Sequence, residues 1–373
     1  MRTGIATIPL DTGKCPKWLF ERMKKLSRIV TLAVVEEFGP QEFIKRLADP
    51  VWFQSFGCVI GFDWNSSGLT TTTTGALKEG LRDIEKELGV FICGGKGKIS
   101  RKTPDQIVLK ANNTDLPQKA IDNLVFSSKM SAKVDSCLLQ DGFQIYHHTF
   151  IFDKYGNWTV IQQGMNTFAQ KARRYHWSSL KIISFDENPH SGVFSEFSQN
   201  KALNLLDIKS RDNKKAIIYS VNNENSKILK VLETSIVART KNITLLDINS
   251  RDFKYHPILE EKFNIKTLKE KFEKLKMVSP NNIVSLLATE NIGPKTIRAL
   301  SLVCDIIYGA KPSFEDPFKF SFAHGGKDGI PYPVDRSVFD KTIEFMEKVI
   351  NRAKTSAVEK GRMRSSLVKM FNN

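Results

Sequence analysis

The chain has 373 residues, 41% of them hydrophobic, and 56 Lys and Arg stand against 40 Asp and Glu for a formal net charge of +16. That length supports two or three domains with cores of their own, and the lack of any apolar run near ~18 residues excludes a transmembrane helix. A basic excess of this size favours polyanionic partners, nucleic acid first; a Lys-rich solvated surface is the plainer alternative.

The N-terminal stretch MRTGIATIPLDTGKCPKWLF lacks the basic-then-apolar order of a signal peptide. The cysteines (Cys15, Cys58, Cys93, Cys137, Cys304) are scattered, odd in number and without a C-x-x-C pair. Neither a disulfide framework nor a cysteine zinc site is indicated, which fits a reducing cytoplasm.

In chain order, residues 16–38 read as a helix opened by Pro16 and closed by Gly39, with a second helix over 40–48. The apolar VWFQSFGCVIGF leads into DWNSSGLTTTTTGALKEGLRDIEKELG. There the threonine run favours an extended or capping segment, and GALKEGLRDIEKEL has helical spacing with Lys78, Arg82 and Lys86 along one face. GVFICGGKGKISRKTP predicts a short strand and a basic glycine loop, and 117–131 predicts another helix. Strands are expected over 137–163, and a helix over 166–178 ending in ARRYHW.

From about 196 to 255 the chain is Asn/Lys-rich, and LLDIKSRD (205–212) recurs as LLDINSRD (245–252). Two such short copies do not make a solenoid; a chance match or two similar helix starts is the simpler account. Residues 256–278 read as a Lys-rich helix. In NNIVSLLATENIGPKTIRALSLVCDIIYG (281–309), Ile283, Leu286 and Leu287 form one helical stripe, and Ile297, Leu300, Val303, Ile306 and Ile307 form another, with NIGPK as a tight break. This is the pattern of a helix-hairpin-helix, which aims backbone N–H groups at a phosphate. Gly293, Lys295, Thr296 and Arg298 are its expected DNA contacts, and Asn291 replaces the usual first glycine as the next-best residue for a left-handed backbone. A Gly/Pro-rich loop with His324 to Asp328 follows, then a basic amphipathic helix over 341–373.

The fold expected is α+β: a mixed α/β domain with a central sheet over 1–255, then a mainly helical domain over 256–373 carrying the helix-hairpin-helix.

Segments along nearly the whole chain are similar to domain of unknown function family 763, a prokaryotic family. They include WFQSFGCVIGFDWNSSG (52–68), TGALKEGLR (74–82), GGKGKISRKTP (94–104), AKVDS (132–136), QDGFQIYHH (140–148), VIQQGMN (160–166), ARRYHW (172–177), NIGPKTIRAL (291–300) and FAHGGKDGIPYPVDR (322–336). Where the resemblance leads one to expect a histidine, this chain has Asn65. The resemblance implies a DNA-binding helix-hairpin-helix end joined to an uncharacterised N-terminal domain.

The chemistry has to come from residues. GGKGK is not a Walker A motif, so ATP hydrolysis is not expected. Lys96, Lys98 and Arg101 suit phosphate contacts, as do Arg173 and Arg174 interleaved with aromatics in ARRYHW. KVDSCLLQDGFQIYHHTFIFDKYGNWTVIQQGMN (133–166) concentrates groups that resist burial. Asp135, Asp141 and His148 are candidate ligands for Mg2+ or Mn2+, with Lys133, His147 and Gln163 as further candidate catalytic groups on adjacent strands. The pairs His147/His148 and Gln162/Gln163 each divide between the two faces of a strand. Solvent-face polarity and an Asp-Gly turn at 141–142 are the structural alternative.

The function expected is therefore a DNA-binding protein acting as a metal-dependent nuclease in repair or processing. Two alternatives stand beside it: a non-catalytic accessory protein, and a metal-free lyase or glycosylase using Lys133 as a Schiff base.

Overall fold

The computed structural model describes residues 15–62, 66–195, 202–224, 226–231, 265–317 and 336–372. Its centre is a five-stranded antiparallel sheet in the order β1-β3-β4-β5-β6, formed by β1 (Val90–Lys96), β3 (Gln144–Asp153), β4 (Trp158–Asn166), β5 (Lys171–Ser178) and β6 (His190–Phe194). A small ribbon pairs β2 (Leu139–Gln140) with β7 (Leu203–Asn204).

The strands alternate between two buried faces. Phe91, Phe150, Phe152, Trp158, Val160, Tyr175, Trp177 and Val193 lie in one apolar cluster, and Val90, Ile92, Ile151, Ile161, Ala172 and Phe194 lie in the other. Helices cover both faces, so the mixed α+β class holds, with the sheet as the middle layer.

The second cluster is closed by α1 (Lys17–Leu47), α2 (Pro50–Val59), α3 (Gly68–Leu81), α11 (Arg336–Arg352) and α12 (Ala357–Asn372). Helix α1 is two helices joined at Gly39, whose φ of 81° departs from helical geometry just before Pro40. The expected break between 38 and 40 is thus present. Asp49 caps α2 by accepting from the N–H groups of Val51 and Trp52.

The threonine run is not extended. It lies within α3, where the Thr71 hydroxyl donates to the Gly68 carbonyl and that of Thr74 to the Thr70 carbonyl. Such back-bonding lets buried threonines stay in a helix without stranding a hydroxyl. Lys78 is half-buried there, its Nζ donating to the Gly94 carbonyl and Gln106 Oε1, each at 2.7 Å. After the short α4 (Glu85–Leu88) the chain enters β1.

The first cluster is closed by α5 (Thr103–Ala111), α6 (Gln118–Cys137), α7 (Arg211–Asn223), α8 (Ile265–Val278), α9 (Ile283–Ala288) and α10 (Pro294–Tyr308). Helices on both sides of residue 255 therefore share one apolar layer. The first copy of the near repeat is a helix start: Leu205 and Leu206 are buried, and Asp207 caps the 3-10 turn before α7. The second copy lies outside the described residues, as do Asn65 and the loop from His324 to Asp328.

Two further expectations need correction. Helix α6 runs to Cys137, so Lys133 and Asp135 sit on a helix and not on a strand. Residues 171–178 form β5, not a helix: Arg173, Tyr175 and Trp177 point to one buried face, and Ala172, Arg174 and His176 to the other. Two arginines and a histidine looked like a solvated helical face, but both sides of this strand are covered.

Candidate functional site

Residues Ile121, Leu124, Ser128, Ser131 and Asp135 recur at spacings of three and four along α6, which puts them on one side of the helix, and all five are buried. The apolar end of the stripe continues the core. The polar end meets the sheet where β3, β4, β5 and β6 present His148, Gln162, Trp177 and His190.

The hydrogen-bond directions in this seam follow by elimination. Gln162 Nε2 lies 2.6 Å from Asp135 Oδ2 and 3.3 Å from the Ser131 carbonyl, both acceptors, so the amide nitrogen must face them. Gln162 Oε1 then faces His148 Nδ1 at 2.9 Å and can only accept, so Nδ1 carries the proton. That leaves His148 Nε2 as a lone pair, 2.9 Å from Ser128 Oγ, which donates to it. Asp135 completes its set by accepting from Trp177 Nε1 at 2.9 Å and, through Oδ1, from His190 Nε2 at 2.6 Å. The relay runs Ser128, His148, Gln162, Asp135. Burial lowers the His148 pKa below its ordinary 6.5, partly offset by the bond to Gln162 and the charge of Asp135.

The Ser128 end of the relay reaches an open cleft of about 750 Å³. Its walls bring together four separate segments: Ser100, Arg101 and Pro104 from the turn after β1 and the start of α5, Phe126 to Ser136 from α6, Ile145 and His148 from β3, and Ala288 and Glu290 at and just past the end of α9. Arg101, Lys129 and Lys133 line it, and Phe126 shows 41% of its surface. Lys133 Nζ donates to the carbonyls of Leu287 at 2.5 Å and Thr289 at 3.1 Å, capping α9, and burial lowers its pKa.

Asp141 belongs to a different set. Its carboxylate accepts from the Phe143 N–H at 3.1 Å, Tyr175 Oη at 2.7 Å and Arg173 Nη1 at 2.9 Å. Asp316 grips the same guanidinium through both oxygens, each at 2.8 Å. Burial opposes the Arg173 charge, yet the two carboxylates hold its pKa above the ordinary value. The Asp-Gly turn is real, with Gly142 at φ 85°.

The expected metal set does not fit this arrangement. Asp135 is filled by three donors, Asp141 is neutralised by arginine, and both His148 nitrogens are engaged. Among the described residues no group of three or more His, Cys, Asp or Glu is placed to hold a metal ion.

The remaining expected residues scatter. His147 and Gln163 point to the opposite sheet face, as the alternation requires. His147 Nε2 lies 3.0 Å from Thr74 Oγ1 and 2.9 Å from Thr149 Oγ1, and burial pushes its pKa down to about 3. Gln163 Nε2 donates to the Ser67 carbonyl and Tyr146 Oη. Arg174 is buried on that face too, with its guanidinium over the Phe53 and Phe194 rings and donating to Gln54 Oε1 and His176 Nε2. Burial brings its pKa down to about 9. Neither Arg173 nor Arg174 can reach a phosphate outside the protein.

Around NIGPK the chain forms α9, a tight turn with Asn291 in the left-handed region at φ 63°, and α10. Of the four contacts expected there, Thr296 and Arg298 are buried; Arg298 Nε donates to Gln140 Oε1 at 2.8 Å, and Gln140 Nε2 donates to the Pro294 carbonyl at 2.9 Å. Gly293 and Lys295 stay partly exposed. In the glycine loop, Lys96, Lys98 and Arg101 are exposed, and Lys96 Nζ lies 5.7 Å from the Tyr146 ring centre. Gly94, at φ 89°, makes a close approach, but to protein: a Cβ there would sit 2.2 Å from the His148 carbonyl oxygen.

An antiparallel sheet between two helical layers, with a directed polar seam that ends in a basic cleft, defines the class of molecule. The family model described as "Protein of unknown function (DUF763)" matches residues 4–334, and the chain belongs to that family. No curated protein and no solved structure matches it. Among the described residues no helix is long and apolar enough to cross a membrane.

Proposed function

We propose that this protein binds DNA, with a strand lying in the cleft between the glycine-rich basic loop, α6 and the α9–α10 hairpin, and that it acts on the bound backbone without ATP. The observation that carries the reading is the convergence at one cleft of Arg101, Lys129 and Lys133 with the exposed Phe126 ring. Cations suit the phosphates, and an accessible ring suits base stacking, a combination that grips a strand with little regard to sequence. The net charge of +16 would speed encounter. The hairpin turn at the cleft's end, with Gly293 and Lys295, would hold the flanking backbone.

The test is fluorescence anisotropy of labelled single-stranded, duplex and flapped DNA over a salt series, comparing the wild type with Arg101→Glu/Lys129→Glu. Each lost phosphate contact should weaken binding and reduce the slope of log affinity against log salt by about 0.7 to 0.9. Unchanged affinity and slope in a folded variant would sink the reading.

A further inference from the structure

The seam behind the cleft has no ready explanation as packing. A helix-to-sheet contact can be filled by leucine and valine, yet here Ser128, His148, Gln162, Asp135 and His190 are all buried together. Polar groups buried this way cost stability unless every partner is supplied, and even then they rarely improve on an apolar filling. The seam is also directional. The Gln162 amide, pinned by Asp135 and the Ser131 carbonyl, fixes the His148 tautomer with its lone pair on Ser128. The low pKa of His148 keeps that lone pair free of a proton at neutral pH. Ser128 and His148 are the members of the relay that line the cleft. A hydroxyl, a base within hydrogen-bond reach and a third group orienting the base together make an activated nucleophile.

We infer that Ser128 is a nucleophile, His148 its general base, and Gln162 and Asp135 the positioning residues, and that the group attacked is a phosphodiester. The substrate class rests on the DNA-binding reading above; the nucleophile does not. Ser128 Oγ attacks phosphorus as its proton passes to His148 Nε2. The bond from phosphorus to one sugar oxygen breaks, and that oxygen takes the proton back from Nε2. A Ser128 phosphodiester remains. Water then attacks phosphorus, giving its proton to His148, and the Ser128 oxygen leaves and recovers it. One water is consumed, and a phosphomonoester and an alcohol are released. Asp135 stabilises the transient imidazolium through Gln162, while Arg101 and Lys133 face the charge on the phosphate. No metal enters these steps.

The experiment uses the full chain and a rhodamine-tagged fluorophosphonate, which phosphorylates activated serines irrespective of the natural substrate. Labelling of Ser128, located by peptide mass spectrometry, is the expected result. It should fall by about 100-fold or more in His148→Gln, the scale of a lost general base, and vanish in Ser128→Ala. Its rate in the wild type should already be level at neutral pH, where His148 is unprotonated, while an unassisted serine would keep gaining into alkali. A thermal melt checks that each variant is folded, and Gln162→Leu, which leaves both reacting groups in place, should label slowly. In parallel, DNA cleavage is followed in EDTA. No label on Ser128 in the folded wild type, or labelling indifferent to His148→Gln, overturns the nucleophile even if DNA is bound. Labelling with neither DNA binding nor cleavage overturns the phosphodiester substrate class.

Discussion

The buried histidines make the fold sensitive to mild acid, and His147 gives the clearest measure. In the folded protein its pKa is pushed from 6.5 to about 3 by burial and by the neighbouring His148, Lys96 and Lys78. The unfolded chain takes up a proton below pH 6.5 that the folded chain refuses. The contribution of His147 is therefore complete above 6.5 and is lost progressively as the pH falls toward 3. At about pH 5, some one and a half units below the ordinary value, the loss is about 2 kcal/mol, at roughly 1.4 kcal/mol per unit. His148 and His176, lowered by burial too, act in the same direction, while Asp141, raised by burial, acts in the opposite one. A wild-type curve alone would mix these, so the assay is urea unfolding of wild type and His147→Gln, each at about pH 7.5 and about pH 5. The glutamine variant does not titrate, and its stability should fall by about 2 kcal/mol less between the two conditions. Equal losses in the two proteins would refute the placement of a neutral histidine on this face.

Two further outcomes follow from other parts of the sheet. Arg173→Met should cost about 3 to 5 kcal/mol in urea unfolding, because it leaves Asp141 and Asp316 buried without their cation; a cost under about 1 kcal/mol would mean the pair is solvated. Gly94→Ala should lower stability by more than about 1 kcal/mol and also disturb Ser128 labelling, since a Cβ at φ 89° would press on the His148 backbone; a melt and labelling rate like those of the wild type would show that the strand yields instead.

Much of this molecule was readable before its fold was known, and the misreadings share a cause. The break at Gly39, the two helices between Ile283 and Tyr308 with Asn291 in the left-handed region at their turn, and the division of His147 from His148 follow from local rules of backbone and alternation. The Arg173 and Arg174 pair did not, because charge reads as exposure. Only the sheet order, with β5 covered on both faces, makes burial of these guanidiniums possible. Asp135 was singled out as a strand residue beside Asp141, a pairing that suggested a metal. On α6 it belongs instead to a set whose other members come from β3, β4, β5 and β6, a long-range convergence that sequence spacing does not carry. Ser128 left one local trace, the spacing of three and four shared by Ile121, Leu124, Ser128, Ser131 and Asp135. That trace becomes visible once the helix is allowed to run to Cys137.

Lys133, Gln140 and Arg298 tie the α9–α10 hairpin to α6 and its ribbon through backbone carbonyls at 2.5 to 3.1 Å and one side-chain pair at 2.8 Å. The turn and the serine thus belong to one stiff span, and the interval between them is set when the chain folds. A strand held at the turn would present to Ser128 a linkage a fixed number of nucleotides away. With DNA bound as proposed, the turn would be the zero mark of a gauge, and position along the strand, more than base identity, would be what the protein reads.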